Sequence, residues 1–535
     1  MTGTTLTLID VRSVQNYLFN ANELKQNLGA SALVEQATHE WIFKFLPEKR
    51  NAQWIKKEYR IEFDARIIEK DNLDAEVIFM GGGNAAILFS SFDNAKDFTE
   101  KYTEYLLENV PGLEASVAHV KDVDMGKTGA LKNAWATMQT VEMPKQKARL
   151  VAQPLLGLSV TSECVYTGLP AVKDVPKNPE TKEPSVLVSA QAFVKQDQST
   201  VDAAKQRLKD LLGLDAFNYP ADFEELGGER GKSSFIAVVH IDGNGMGKRI
   251  QAYTNNEDNR KMITLMREFS NSLNQVGLDA MKTACKYLAM YSGEFPDRFD
   301  PKEIVHIDSF HLPIRPLVFG GDDVTFVCDG RLGLALAVKL LQAFSNANLP
   351  DKQRTFACAG VAIVHSHYPF ARAYKLAEEL CQSAKEKARK WDNDNRVSLI
   401  NWHIASSGRT LDWDETQKRE FANPNGQLLL RPLVVDKAEG VSTPTWQTWQ
   451  TFTEQVKGFR KSFWSTQRNK QKDLREILRK DAAQTRKFTQ QNGIMPEFSS
   501  MPSDDVLETG WHEKQCLYFD ALEALDYFIY PEDKA

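Results

Sequence analysis

Val318–Cys328, VFGGDDVTFVC, decides how this chain is read. Two apolar β runs flank Gly320 and Gly321, and glycine supplies the positive φ that a tight hairpin needs. Two carboxylates, Asp322 and Asp323, follow at once. Along a regular strand, neighbouring side chains point to opposite faces, so this pair shares one site only because the turn breaks the alternation. Two carboxylates about 4 Å apart repel by several kcal/mol at an effective dielectric near ~20, and a divalent cation removes the conflict.

A third carboxylate ends another apolar run, Ile236–Lys248, IAVVHIDGNGMGK. Asp242 caps the β run, and Gly243, Asn244, Gly245 and Gly247 keep the following backbone bare, so a phosphate can approach the amides. In an antiparallel α+β sheet this strand end can lie beside the hairpin. Three carboxylates then surround Mg²⁺ (or Mn²⁺), or a pair of ions about 3.5–4 Å apart. Two glycine-lysine stretches are rejected as phosphate loops. Gly227–Ser233, GGERGKS, has Leu226 where the first glycine belongs and precedes a strand; Gly243–Lys248 has Asp242 at that position and continues with Arg249.

The elements around these motifs repeat. Thr4–Asp10 reads as a strand, and Ser13–His39 as a helix interrupted at Gly29 and Ala30. Glu76–Met80 and Ala85–Ser90 form a hairpin around Gly81, Gly82, Gly83 and Asn84. A helix at Asn94–Asn109 stops at Pro111-Gly112, and Leu113–Val120 is a strand. Downstream the order recurs: strand Ser234–Asp242, helix Arg260–Tyr291, hairpin Arg315–Phe319/Val324–Cys328, helix Leu332–Ala347, strand Phe356–Val364. Helix Phe370–Lys390 and strand Val397–Asn401 follow. The expected fold is α+β, with two duplicated domains of ferredoxin-like order. The expected boundaries are 1–125, a linker domain at 126–230, the carboxylate-bearing domain at 231–405, and a mostly helical 406–535. Within the linker, Leu169–Ser185 carries Pro170, Pro176, Pro179 and Pro184 among charges and reads as exposed loop.

On helix 370–390, Ala373, Ala377, Leu380, Cys381, Ala384 and Ala388 make one apolar stripe, with Lys385 at its edge, placed either to reach a triphosphate or to face solvent. His365 and His367 lack partners at metal-ligand spacing and read as surface histidines.

Composition sets outer limits. The chain has 535 residues, 42% of them hydrophobic and 26% charged, which suits a globular multidomain protein. Net charge is 66 − 72 = −6, so any nucleic-acid surface must be a local patch. One exists: Lys457–Lys487 holds 11 Lys or Arg against three acids, 11 − 3 = +8, either a solvated helix face or a surface for phosphate backbone or a partner. No apolar run is long enough to span a membrane and no secretory signal opens the chain. The six cysteines form no C-x-x-C pair, which argues against a zinc ribbon and for buried free thiols in a reducing cytoplasm.

Together these pieces resemble the palm domain of GGDEF-type nucleotide cyclases. Phe356–Ala362, FACAGVA, and Ala377–Lys385, AEELCQSAK, look like that family's S-x-G-x-A strand and A-D-x-x-L-Y-x-A-K helix. With GGDD in place of GGDEF, and Asp242–Gly247 upstream, the chain is more similar to the large polymerase-cyclase subunit of type III CRISPR effector complexes. Val14–Leu33, VQNYLFNANELKQNLGASAL, looks like that subunit's first palm. The resemblance covers roughly 1–120 and 231–405. It implies two palms with ATP between them, and synthesis of cyclic oligoadenylate. It also implies metal on Asp242, Asp322 and Asp323, nucleotide contacts at Gly243, Asn244, Gly320, Gly321, Lys385 and Ser31, and partners comprising guide and target RNA and other effector subunits.

The hairpin departs from the GGDEF form, since Val324 stands where those proteins have Phe. From the CRISPR subunit the chain departs in three places. No His-Asp dipeptide occurs, so the family's usual N-terminal nuclease domain is expected to be absent. The family's frequent cysteine zinc site is missing. The first hairpin reads GGGN, without a carboxylate, although Asp10 remains at its strand end. The first palm is therefore expected to shape the pocket without catalysing. The competing readings are a stand-alone palm cyclase outside CRISPR and a non-catalytic RNA-binding scaffold.

Overall fold

The computed structural model describes residues 3–149, 160–176, 185–220, 222–226, 235–298, 304–307, 309–405, 412–423, 426–461, 464, 466–492 and 501–531. The rejected GGERGKS loop lies outside them. The chain forms two compact units: residues 1–215 with 246–278, and residues 216–245 with 279–535.

The first unit is built on a four-stranded antiparallel sheet in the order 75–81, 84–89, 4–12, 114–123. Helices Leu24–Thr38 and Phe92–Asn109 complete the ferredoxin-like order. Helix 24–38 runs unbroken through Gly29; the break falls earlier, at Asn20–Glu23. Glycine at 29 answers a packing demand, because a Cβ there would stand 1.7 Å from the Lys195 carbonyl oxygen. The expected boundary at 125 cuts through a core: Met125, Leu131, Ala134, Met138 and Met143 pack with Leu6, Leu8 and Leu88. Met262, Ile263 and Met266 join the same cluster. Arg260 and Arg267 reach the fully buried Glu76 at 2.7 and 3.2 Å, which ties segment 246–278 to this unit.

The second unit carries a six-stranded sheet in the order 314–320, 323–329, 235–243, 357–365, 397–405, 433–437. All neighbours are antiparallel except 357–365 with 397–405. Its first four strands repeat the order of the first unit's sheet. The duplication extends to detail. Both hairpins carry a register shift at the same place, Val77/Phe79 before the Gly81–Asn84 closing pair and Pro316/Val318 before Gly320–Asp323.

Strand 433–437, beyond the expected boundary at 405, pairs with 397–405 and extends this sheet. Helix Trp449–Phe459 lays Phe452 on Trp402, with ring centroids 5.1 Å apart. The buried Arg431 guanidinium pairs with Asp520 at 2.9 Å and Glu523 at 2.6 Å, fixing the C-terminal segment to the same body. Helices at 468–478 and 482–492 are present as expected, and two dipeptide strands at 511–512 and 515–516 escaped the sequence reading. All six cysteines are free and buried. No helix among the described residues is long and apolar enough to cross a membrane.

Candidate active site

The site begins with strand 235–243, whose interior run is buried end to end because it is the middle strand between 323–329 and 357–365. Register places Asp242 directly opposite Asp323 on one side and Cys358 on the other. Directly opposed residues of an antiparallel pair project to the same face. Asp242 and Asp323, 81 positions apart in sequence, are therefore neighbours.

The hairpin closes with Gly321 and Asp322 as its two central residues. Gly320 has φ 131° and Gly321 φ 76°, whereas Asp322 keeps a negative φ, the pattern that puts glycine first in the turn. A Cβ on Gly320 would meet nothing within 4 Å, so the glycine answers the backbone angle and leaves the space before it open. The Gly243 N–H donates to the Asp322 carbonyl at 3.0 Å and ties the hairpin tip to the strand end. Burial, reinforced by the charges of Asp242 and Asp323, pushes the Asp322 carboxyl up to about 6.

Helix Phe370–Trp391 covers the strands, with the alanine stripe buried as expected. It lies so close that a Cβ on Gly360 would stand 1.9 Å from the Ala377 carbonyl oxygen. From this helix Lys385 reaches Asp242 Oδ2 at 2.5 Å and donates to the Gly243 carbonyl at 2.9 Å.

Asn244 is expected to touch nucleotide, but its amide nitrogen is engaged inside the fold. It donates to the Val397 carbonyl at 2.8 Å and to that of Asn395 at 3.2 Å, while its backbone N–H donates to Phe356 at 2.7 Å. At 6% exposure it is an anchor for the turn. Ser31 is on helix 24–38 of the first unit.

Sequence reasoning missed His240, although it lies two residues before Asp242 on the same strand face. It is 4% exposed, shares a 3.1 Å hydrogen bond through Nδ1 with Thr325, and stands 3.4 Å from Asp323 Oδ1. Burial holds its pKa below the ordinary histidine value, against the pull of Asp242 and Glu378. His365 lies against Phe235, with ring centroids 4.0 Å apart and planes tilted by 36°, and His367 is exposed.

Among the described residues, no group of three or more His, Cys, Asp or Glu is arranged to hold a metal ion by itself. Asp242, one of the three carboxylates expected to surround Mg²⁺, is held in the ion pair with Lys385. The chemistry suits a hard divalent cation: oxygen donors, and a carboxyl whose pKa is raised by burial and then by two neighbouring negative charges.

The first unit offers a comparison. Asp10 faces Asn84 in the register that Asp242 and Asp323 occupy, and Gly83 takes the place of Asp322. Lys147, from a helix that follows the fourth strand as Lys385's does, pairs with Asp10. One carboxylate neutralised by one lysine leaves no surplus negative charge to attract a metal.

Residues 235–393 match the family model described as Cas10/Cmr2, second palm domain. No curated protein matches the chain in sequence. In structure it is similar to a Csm1–Csm4 cassette in complex with one ATP, with TM-score 0.54 and 14% identity, covering 98% of this chain and 70% of that one. It is also similar to the cassette in complex with pppApA, with TM-score 0.51 and 14% identity, covering 98% and 69%. The double-palm α+β architecture and the resemblance to the large subunit of type III CRISPR complexes, read from the motifs, both hold.

Proposed function

From a second palm of the Cas10/Cmr2 kind at residues 235–393, we propose that the chain is a nucleotidyltransferase. It joins ATP into a cyclic oligonucleotide, cyclic oligoadenylate, as the signalling subunit of a type III CRISPR effector. The observation that carries this reading is the register pairing of Asp242 with Asp323, with the raised carboxyl of Asp322 at the adjoining turn. In the reaction a 3′-hydroxyl attacks the α-phosphate of a second ATP and pyrophosphate leaves.

Asp242, Asp322 and Asp323 would hold Mg²⁺ or Mn²⁺, which when bound lowers the hydroxyl pKa and screens the charge developing on phosphate. The other roles belong to the chain. Lys385 fixes the orientation of Asp242 and presents positive charge at the strand end. His240 borders Asp323 Oδ1 at 3.4 Å, and its burial disfavours a second positive charge at the strand end. The open space before Gly320 lets the nucleotide approach the hairpin. Most of the rate then comes from positioning and fixed electrostatics.

Partners follow the same reading: a Csm4-type subunit, as in the matched cassettes, and guide and target RNA, for which the +8 segment 457–487 is the candidate surface. Part of that charge is met within the chain, where Arg486 pairs with Asp505 and Arg479 donates to the Glu420 carbonyl at 2.7 Å.

The test is incubation with each NTP and Mg²⁺ or Mn²⁺, with and without RNA, read by mass spectrometry. A cyclic adenylate is expected, absent from an Asp322→Ala/Asp323→Ala variant that keeps its circular dichroism. Product from that double variant overturns the assignment.

A further inference from the structure

The segment between the palms has a shape that its sequence conceals. Cys164-Val165-Tyr166-Thr167-Gly168 is a tight loop: the Gly168 N–H donates to the Cys164 carbonyl at 3.0 Å, and Gly168 takes φ 68°. The Cys164 N–H returns to the Leu169 carbonyl at 2.8 Å. A hairpin follows, Lys173–Pro176 paired with Ser185–Val188, and then helix Ala190–Gln196, with Ser189 as its N-cap. Loop, hairpin and helix start bring together two pairs of positions, each three residues apart: 164 with 167, and 189 with 192.

Each position of one pair is matched with a position of the other. The Thr167 and Ser189 hydroxyls are 3.2 Å apart. The Ser189 hydroxyl also accepts from the Ala192 N–H at 3.3 Å, and the Thr167 hydroxyl accepts from the Leu169 N–H at 3.3 Å. Ala192 packs with Cys164 and Val188 in one small core, and all three are at most 3% exposed. Burial pushes the Cys164 thiol pKa up, but the polar groups of Thr167, Ser189 and Tyr166 outweigh it and the net direction is downward.

Two i, i+3 pairs, one on a glycine-ended loop and one at a helix start across a hairpin, are the spacing and layout of a four-thiolate structural zinc site. The donors present do not fit zinc: one thiol, two neutral hydroxyls and a methyl group. We propose that residues 160–176 and 185–196 are a zinc-finger framework that works without metal. The Thr167–Ser189 hydroxyl contact and the packing of Cys164 with Ala192 fill the positions that a tetrahedral ion would otherwise join. A small module with little core of its own needs such a tie, and a hydroxyl pair anchored to the backbone beside a small apolar cluster can supply it. The inference is independent of whether the chain makes nucleotides.

The test uses the full-length chain. After exposure to Zn²⁺ and desalting, the wild type is expected to keep essentially no zinc. A Thr167→Cys/Ser189→Cys/Ala192→Cys variant should keep one zinc per chain and, loaded with Co²⁺, show the absorption bands of tetrahedral thiolate coordination. Stoichiometric zinc on the wild type overturns the proposal, as does a folded triple variant that holds none. Should the triple variant not fold, hydrogen exchange on Thr167→Val/Ser189→Ala decides. Amides of 164–172 and 186–192 should exchange about tenfold faster while the palms stay unchanged. Unaltered exchange there overturns the proposal.

Discussion

Lys385 Nζ lies 2.5 Å from Asp242 Oδ2, an ion pair between the helix after the fourth palm strand and the end of the first. The first unit repeats it with Lys147 and Asp10, on elements in the same topological order. What separates the two palms is the hairpin alongside. Asp322 and Asp323 bring two further carboxylates to one strand end, while Gly83 and Asn84 bring none to the other.

Lys385→Met should therefore uncouple the orientation of Asp242 without unfolding the sheet. We expect kcat for oligonucleotide formation to fall about 100-fold, the scale of losing one preorganised charged contact, with Lys385→Arg recovering part of it. Steady-state turnover alongside circular dichroism checks this; unchanged turnover by Lys385→Met removes the lysine from the site.

Protons and metal compete for Asp322. With its carboxyl pushed up to about 6, affinity for Mn²⁺ should weaken as pH falls below that value. The metal-free chain should behave oppositely. A folded-state pKa above the ordinary carboxyl value means that the fold binds more protons than the unfolded chain between about 4 and 6, so stability drops as pH rises through that interval. Titration calorimetry with Mn²⁺ at pH 5.5 and 7, on wild type and Asp322→Asn, reads the first effect, and the variant should show almost no pH dependence.

Gly360→Ala should damage stability and catalysis together. Its Cβ would fall 1.9 Å from the Ala377 carbonyl oxygen, and helix 370–391 must move outward to relieve the clash. That movement draws Lys385 away from Asp242. We expect a loss of about 1–3 kcal/mol in denaturant unfolding, with a fall in kcat and little change in KM. Loss of stability with full kcat would show that the lysine position is not set by this contact.

Lys195 gives a pH signature to the first unit. Its ammonium is 1% exposed and donates to the Tyr17 carbonyl at 2.5 Å and Asn20 Oδ1 at 3.0 Å; burial lowers its pKa to about 7. Between that value and about 10 the unfolded chain binds more protons than the folded one, so stability should rise with pH, by up to about 4 kcal/mol. Lys195→Met should flatten the curve. Chemical denaturation from pH 7 to 9.5 decides it, and equal slopes for both proteins would contradict the burial argument.

Much of the architecture is written locally. The alternating apolar runs, the two glycine hairpins and the alanine stripe of helix 370–391 mark their elements because strand pairing, tight turns and close helix packing each demand particular residues at short spacing. The pairing of Asp242 with the GGDD hairpin was legible too, since strand order in a duplicated ferredoxin-like fold follows from the order of elements.

Other features were closed to sequence reading because they depend on residues far apart in the chain. Gly29 resembles a helix break until the Lys195 backbone is seen against it. Segment 246–278 reads as part of the second palm, yet Arg260 and Arg267 commit it to the first unit through Glu76, 184 and 191 positions away. Asn244 looks free to meet a ligand until Val397 and Asn395 claim its amide. The amino-acid order by itself determined which groups could do chemistry and on which elements they lie. Tertiary structure alone decided which of those groups are engaged with one another, because hydrogen bonds and ion pairs form between neighbours in space and leave no periodic mark on the chain.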